Sequence, residues 1–410
     1  MKKPIIVQKF GGSSVANIER MMNVARRVIE TKTPKNNVVV VVSAMGDTTD
    51  ELEELLFQIT KTPPEREMDM LMSTGEQISC ALLAVAIKSL GHEAISFTGG
   101  QVGIRTDTKY TKAKIQTIDA KCIKKALSEN KIVIVAGFQG ITSDDDITTL
   151  GRGGSDLTAV ALALALKAQV CEIFTDVTGI YTTDPRIVKD AQKLKEITFD
   201  EMLEMASLGA QVMQARSIEV AKRFNIPMHV RSSFSKEEGT MIVKSTKQIE
   251  GEGVAVTGVA CNKGEAKITI CAVPDKPGVA AQIFSEIADI GVNVDTIVQN
   301  VSHTRQTDIS FTVPKKDLDK AIATTNAIAK KIGAGEVLND KNIARVSIVG
   351  SGMRTHSGVA ARMFQALAEK KINIEMIATS EISISCIIEE KFANTAVEVI
   401  HKAFELEKAR

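Results

Sequence analysis

Residues 148–168 read TTLGRGGSDLTAVALALALKA. Gly151-Arg152-Gly153-Gly154 gives way at Ser155-Asp156 to an unbroken run of helix formers. Glycine lets the backbone approach a ligand closely and take up positive φ. Ser155 or Asp156 is placed to cap the helix that follows. Free N–H groups and the positive end of the helix dipole then face whatever binds there. Arg152 adds a rigid two-pronged donor suited to a carboxylate or a phosphate. A Gly-rich turn before a buried helix can carry the same letters. The coincidence of a cation, three glycines and a cap points to an anion site.

Working outward, short apolar runs recur on both sides of this loop. Ile5–Lys9 ends at Gly11-Gly12-Ser13-Ser14, and a helical period follows over 15–31, with Met21, Val24, Val28 and Ile29 on one face. Strand, Gly-rich turn and helix form a phosphate-cradle layout. The P-loop pattern GxxxxGK[ST] and the dinucleotide pattern GxGxxG are both absent. Lys9 ends the strand, where it either meets a phosphate or is solvated. Val38–Val42 (VVVVV) reads as a parallel-sheet strand buried on both faces. It opens into Ser43-Ala44-Met45-Gly46, a loop at the strand end where open α/β sheets hold ligands. A long helix over 67–90 carries Ser73-Thr74-Gly75-Glu76, whose carboxylate is either a surface group or a ligand for an ammonium. Further strands are expected at 94–97, 132–136 and 170–175, each running into glycine or a polar loop. Strand–helix alternation of this kind gives an open, mostly parallel sheet with helices on both faces. A helix is expected over 199–207 and another over 205–224, interrupted at Gly209; Ile226–Ser232 reads as the closing strand, with His229 structural or exposed rather than catalytic.

Beyond Val254 the chain repeats. GVAAQIFSEIADIGVNVDTI (278–297) and GVAARMFQALAEKKINIEMI (358–377) agree at eight of twenty positions with an offset of 80. Two copies are too few for a solenoid. They describe a pair of βαββαβ modules, each short of one strand locally. Strand 254–261 is free to complete the second, so that the first is inserted within it. Edge-to-edge pairing would bury exposed strand edges. The expected domains are 1–245, 265–335 and 343–410, joined by a polar, Gly-rich linker near 244–253.

Composition is that of an ordinary globular chain: 410 residues, 44% hydrophobic, 25% charged, net charge +1. That length predicts two or three domains. With no Trp, two Tyr and no basic excess, nucleic acid is an unsuited partner. No apolar run is long enough to suggest a membrane span. Six scattered cysteines, with no CxxC pair, fit free thiols in a cytoplasmic protein without a metal centre.

Lys9, Arg152 and Arg186 offer cations beside Gly-rich loops, while no Ser-His-Asp set or metal-ligand cluster stands out. Phosphoryl transfer needs little beyond positioning and charge neutralisation. A carboxylate acceptor, with a pKa of about 3.9, is already ionised at neutral pH and requires no general base.

KFGGSS (9–14), SAMG (43–46), STGE (73–76), TTLGRGGSD (148–156) and TDVTGIYTTDPR (175–186) together resemble aspartate kinase. The paired C-terminal modules are similar to its ACT domains. The resemblance implies the amino-acid-kinase fold and transfer of phosphate from ATP, with Mg²⁺, to L-aspartate. It implies that Lys9 and Asp156 are catalytic. Lys9, Phe10, Gly11, Gly12, Thr175, Asp176, Tyr181, Arg186 and Gln211 would serve the nucleotide. Ser43, Glu76, Arg152, Gly154 and Ser155 would serve aspartate. Gln211 stands where the family usually has lysine. For effectors, lysine or threonine, it implies Asp275, Ala280, Asn293, Asp295 and Gln299 in the first module. Asn373, Ile374, Ser380 and Glu381 are their counterparts in the second. The carboxylates of the first module suit lysine, whose side chain brings an extra ammonium. A homo-oligomer held through these modules is also implied; whether an internal start gives a separate regulatory chain is left open by the sequence. The competing readings are a kinase of the same fold acting on acetylglutamate or a nucleotide, and an inactive amino-acid sensor.

Overall fold

The structure, a computed structural model, describes residues 3–210, 212–245, 256–300, 306–354 and 356–408. These fall into two compact units. The first comprises 3–180, 193–206 and 212–245, and the second 181–192, 207–210 and the described residues from 256 onward. The expected domain 1–245 is therefore interrupted, because two short stretches pack with the C-terminal modules. Gln211 and most of the expected linker lie outside the described residues.

The first unit is built on eight strands. In spatial order they are Glu196–Thr198, Thr240–Val243, Met228–Ser232, Val170–Thr175, Ile5–Phe10, Asn37–Val42, Ile132–Ala136 and Ala94–Phe97. Met228–Ser232 and Thr240–Val243 pair antiparallel, and the other neighbours run parallel. Met228–Ser232 thus does not close the sheet, because Thr240–Val243 folds back against it. The central strands are apolar on both faces because helices cover both. Helices Ile18–Thr31 and Glu65–Ser89 bury Met21, Val24, Val28, Leu83 and Ile87 against Phe10, Val38, Val40, Val42 and Phe174. Helix Gly154–Leu166, buried along nearly its whole length, covers the other face. Asn17 caps Ile18–Thr31 by accepting from Arg20 N at 2.9 Å, so the helix begins later than its apolar period suggested. A second, four-stranded sheet runs Ile115–Ile118, Ile104–Thr106, Gln139–Ile141, Ile147–Thr149. Strands of three or four residues leave little periodicity in a sequence.

In the second unit, Gly258–Asn262 pairs antiparallel with Ile343–Val349, giving the sheet Gly258–Asn262, Ile343–Val349, Ser383–Glu389, Met376–Thr379. The other sheet is Ile297–Gln299, Gln306–Pro314, Glu265–Pro274, Val337–Asp340. Ion pairs cross between the two modules. Arg345, almost fully buried, meets Glu265 at 2.5 Å and also pairs with Asp295, while Lys267 pairs with Glu375. Asp295 and Glu375 are the same position in the 80-residue repeat, so each module's carboxylate is held by a cation from the other. Burial pushes the Glu265 carboxyl up, opposed chiefly by Arg345. The stretch 181–192 is fastened here as well: Thr182 O accepts from Val259 N at 2.7 Å, and its hydroxyl lies 2.9 Å from His401 Nε2.

Candidate active site

Alternation along Ile5–Phe10 sends neighbouring side chains to opposite faces. Phe10 enters the core and stacks on Phe174, centroids 4.6 Å apart. Lys9 points the other way, toward the start of helix Gly154–Leu166, and its Nζ lies 2.7 Å from Asp156 Oδ1. The pair is largely buried, so Asp156 holds the ammonium at the start of the helix.

The cap of that helix differs from expectation. Gly153, at φ +71°, is the N-cap, and Ser155 and Asp156 lie in the first turn. Only glycine fits at 153, because a Cβ there would stand 1.6 Å from the Gln214 side chain. Arg216 steadies the same turn by donating to Leu150 O and Ala113 O, each at 2.9 Å.

Across the cleft, Gly75 lets helix Glu65–Ser89 pass against the loop after Asn37–Val42. A Cβ at 75 would meet the Ala44 Cβ at 2.8 Å. That approach delivers Glu76, 4% exposed, to Ala44, whose N–H donates to Oε1 at 3.1 Å. Oε2 is buried without a partner. Burial raises the Glu76 carboxyl to about 7, partly offset by the Ala44 N–H and the charge of Lys9. A buried, half-satisfied carboxylate is costly. A ligand ammonium would satisfy it.

These groups line one cleft of about 490 Å³ that includes Lys9, Gly12, Ser43, Glu76, Arg152, Gly154, Ser155 and Asp156. Together they offer a cation, a glycine turn and a helix N-terminus, which suit phosphates, and an orphan carboxylate and an exposed guanidinium, which suit an amino acid.

The amino acid kinase family profile matches residues 4–232, and the ACT domain profile matches 268–327 and 346–404. An aspartate kinase from Stutzerimonas stutzeri is 51% identical over 403 residues, 98% of each chain. The chain belongs to the aspartokinase family. Escherichia coli aspartokinase III in complex with aspartate and ADP superposes with a TM-score of 0.81 at 26% identity, covering 97% of this chain and 99% of that one. The same enzyme in complex with lysine and aspartate gives 0.74, covering 98% and 99%.

Within that family frame, the structure separates the expected site residues into groups. Gly11 lies beside Lys9, and its N–H donates to Phe174 O at 3.3 Å. Thr175 and Asp176 follow at the end of the neighbouring strand, joined by a 2.9 Å hydrogen bond. The Phe10 side chain is fully buried, so a nucleotide contact there would be made by its backbone. Tyr181 and Arg186 belong to the second unit, where Arg186 pairs with Asp184 at 2.7 Å. Of the effector candidates, Asp275, Ala280, Asn293, Gln299, Asn373, Ser380 and Glu381 are exposed, while Ile374 packs against the core of its module. Asp295 was expected to face an effector; its carboxylate is held by Arg345.

Among the residues that escaped the sequence reading, Asp69 and Phe138 line the cleft and Gln139 packs behind it against Ser73. Asp69 is fully buried and accepts from Thr111 and Thr149. Gln139 donates to Ser73 O at 2.8 Å. Phe138, a non-glycine residue at φ +68°, sits over Gly154. Only the GFQG spacing at 137–140 hinted at the last two.

Proposed function

We infer that the chain is an aspartate kinase, converting ATP and L-aspartate to 4-phospho-L-aspartate and ADP, with feedback control by amino acids at its ACT modules. The observation that supports this most directly is the orphan Oε2 of Glu76, in one cleft with Arg152 and the Lys9–Asp156 pair. Glu76 receives the α-ammonium of aspartate and Arg152 a carboxylate, which leaves the side-chain carboxylate directed toward the phosphates. One of its oxygens attacks the γ-phosphorus, the bond from that phosphorus to the β,γ-bridging oxygen breaks, and ADP leaves. No side chain needs to take a proton. Lys9 and the first turn of helix Gly154–Leu166 stabilise the charge that shifts toward the phosphates, and Asp156 keeps Lys9 in place.

Mg²⁺ bound to the nucleotide would supply further neutralisation. Among the described residues, no group of three or more His, Cys, Asp or Glu is gathered to hold a metal alone. An ion carried mainly by phosphates and water needs only one or two protein carboxylates, and Asp156, beside Lys9 in the cleft, would be one such ligand.

Incubation with ATP and hydroxylamine is expected to give a hydroxamate with aspartate, and none with acetylglutamate. ADP release with UMP but not aspartate would overturn the assignment. Arg152→Lys keeps the charge but loses the two-pronged geometry. It should raise the aspartate KM about tenfold, the scale of one charge-assisted hydrogen bond, with little change for ATP. Equal effects on both would place Arg152 at the nucleotide.

For regulation, lysine is the effector assigned to the first module and threonine the other candidate, with a homo-oligomer held through the modules. Asp275→Ala and Gln299→Ala should each leave an active enzyme that is less sensitive to lysine, threonine or both. Coupling of about 1–3 kcal/mol corresponds to a 5- to 150-fold shift. Absence of both inhibition and calorimetric binding in the unmutated protein would leave the modules without a sensing role.

A further inference from the structure

We propose that Asp69 is a positioning residue for the amino-acid half of the cleft, tying the loop that presents Arg152 to the helix that presents Glu76. The proposal rests on the aspartate kinase reading of this site. Asp69 lies seven residues before Glu76 in helix Glu65–Ser89, two turns away and on the same face. It is fully buried, and both residues line the cleft.

Its carboxylate gathers three donors. Thr149 N donates to Oδ2 at 2.8 Å and Thr149 Oγ1 to Oδ1 at 2.6 Å. Thr111 N donates to both oxygens, at 3.0 and 2.9 Å. Thr149 ends strand Ile147–Thr149, three residues before Arg152. Thr111 backs the same loop from the other side, since its carbonyl would stand 3.1 Å from a Cβ on Gly151. Gly151 and Gly153 are both at positive φ, and Gly154 N donates to Gly151 O at 2.9 Å across the Arg152 turn. Arg216 holds that turn through Leu150 O, and Asp69 fixes the strand end that leads into it and the Thr111 segment behind it. A carboxylate in an apolar helix face is expensive to bury. Here it is retained where it fixes two backbone N–H groups and one hydroxyl at once. Burial still pushes the Asp69 carboxyl up despite these donors.

The experiment is steady-state kinetics on the full chain, with aspartate and ATP varied separately, for Asp69→Asn, Thr149→Val and the double variant. Asparagine keeps the size but turns one acceptor into a donor that faces an N–H. For Asp69→Asn the aspartate KM should rise about 10- to 100-fold, the scale of lost hydrogen bonds to a charged group. The ATP KM should change less than about twofold. Thr149→Val removes only the hydroxyl bond and should move the aspartate KM in the same direction by a smaller factor. The double variant should fall short of the product of the two effects, because both act through one contact. If Asp69→Asn does not fold, Thr149→Val alone carries the test. A lower melting temperature with both KM values unchanged, or both raised equally, would make Asp69 a scaffold residue and overturn the proposal. An unmutated enzyme that yields no hydroxamate from aspartate would instead overturn the functional reading.

Discussion

Lys9→Ala should abolish phosphoryl transfer, with kcat falling by a factor of about 10²–10³ or more, because a preorganised charge aimed at developing charge is worth about 3–4 kcal/mol. The variant also leaves Asp156 buried beside a lost partner, which carries its own stability cost. A single substitution therefore confounds chemistry with folding. Assay well below the variant's melting temperature separates them: Lys9→Ala should remain inactive while still folded by circular dichroism. Near-normal kcat in Lys9→Ala would remove Lys9 from the mechanism. An inactive single variant whose activity returns with stability would reduce it to a scaffold.

Glu76→Gln is expected to act in opposite directions on stability and on substrate binding. In the folded protein the carboxyl is held up to about 7, against an ordinary 4.5. Between those pH values the folded state holds a proton that the unfolded state has lost, so stability falls as pH rises from 4.5 to 7 and is flat above. The glutamine variant lacks this penalty. It should be more stable than the parent at pH 8 by roughly 3 kcal/mol, since each tenfold difference in proton affinity between the two states is worth about 1.4 kcal/mol. At about pH 4, below both values, it should be no more stable. Aspartate binding should suffer. Truncating one partner of a buried charge pair costs about 2–5 kcal/mol, so the aspartate KM should rise at least about 30-fold. In the parent, aspartate affinity should drop as pH falls below about 7, because the ammonium then meets a neutral acid. The variant should lose that dependence. Chemical denaturation of the ligand-free protein at about pH 4 and pH 8, together with aspartate KM across roughly pH 6–8, checks both signs. A parent whose aspartate KM is level across that range would show that Glu76 does not receive the ammonium.

Sequence alone was sufficient for the architecture and for part of the cleft lining. Strands over 38–42, 132–136 and 170–175 declared themselves as apolar runs, and the modules by their 80-residue repeat. Lys9, Gly12, Ser43, Glu76 and Arg152 came from motifs in which glycine and charge stand close together, and all five line one cleft. Such signals are local: a period of two or 3.6, a turn residue, a cation next to glycine. They persist in the one-dimensional chain because neighbouring residues generate them.

What escaped the sequence depends on partners far apart in it. Asp69 reads as one acid in an ordinary helix until Thr149, 80 residues on, arrives at 2.8 Å. Asp295 reads as a free ligand group until Arg345, 50 residues later, takes it. Phe10 reads as part of a nucleotide motif until Phe174 stacks on it from the neighbouring strand. Stretch 181–192 reads as catalytic-domain sequence until Val259 and His401 bind it to the second unit. The family, the mostly parallel sheet and the paired modules are legible in the chain, because those follow from local pattern and motif. Which acids are satisfied, and which are left wanting a proton or a ligand, emerges on folding. That outcome is set by burial and by donors brought from distant strands, and neither is written in the residues adjacent to the acid.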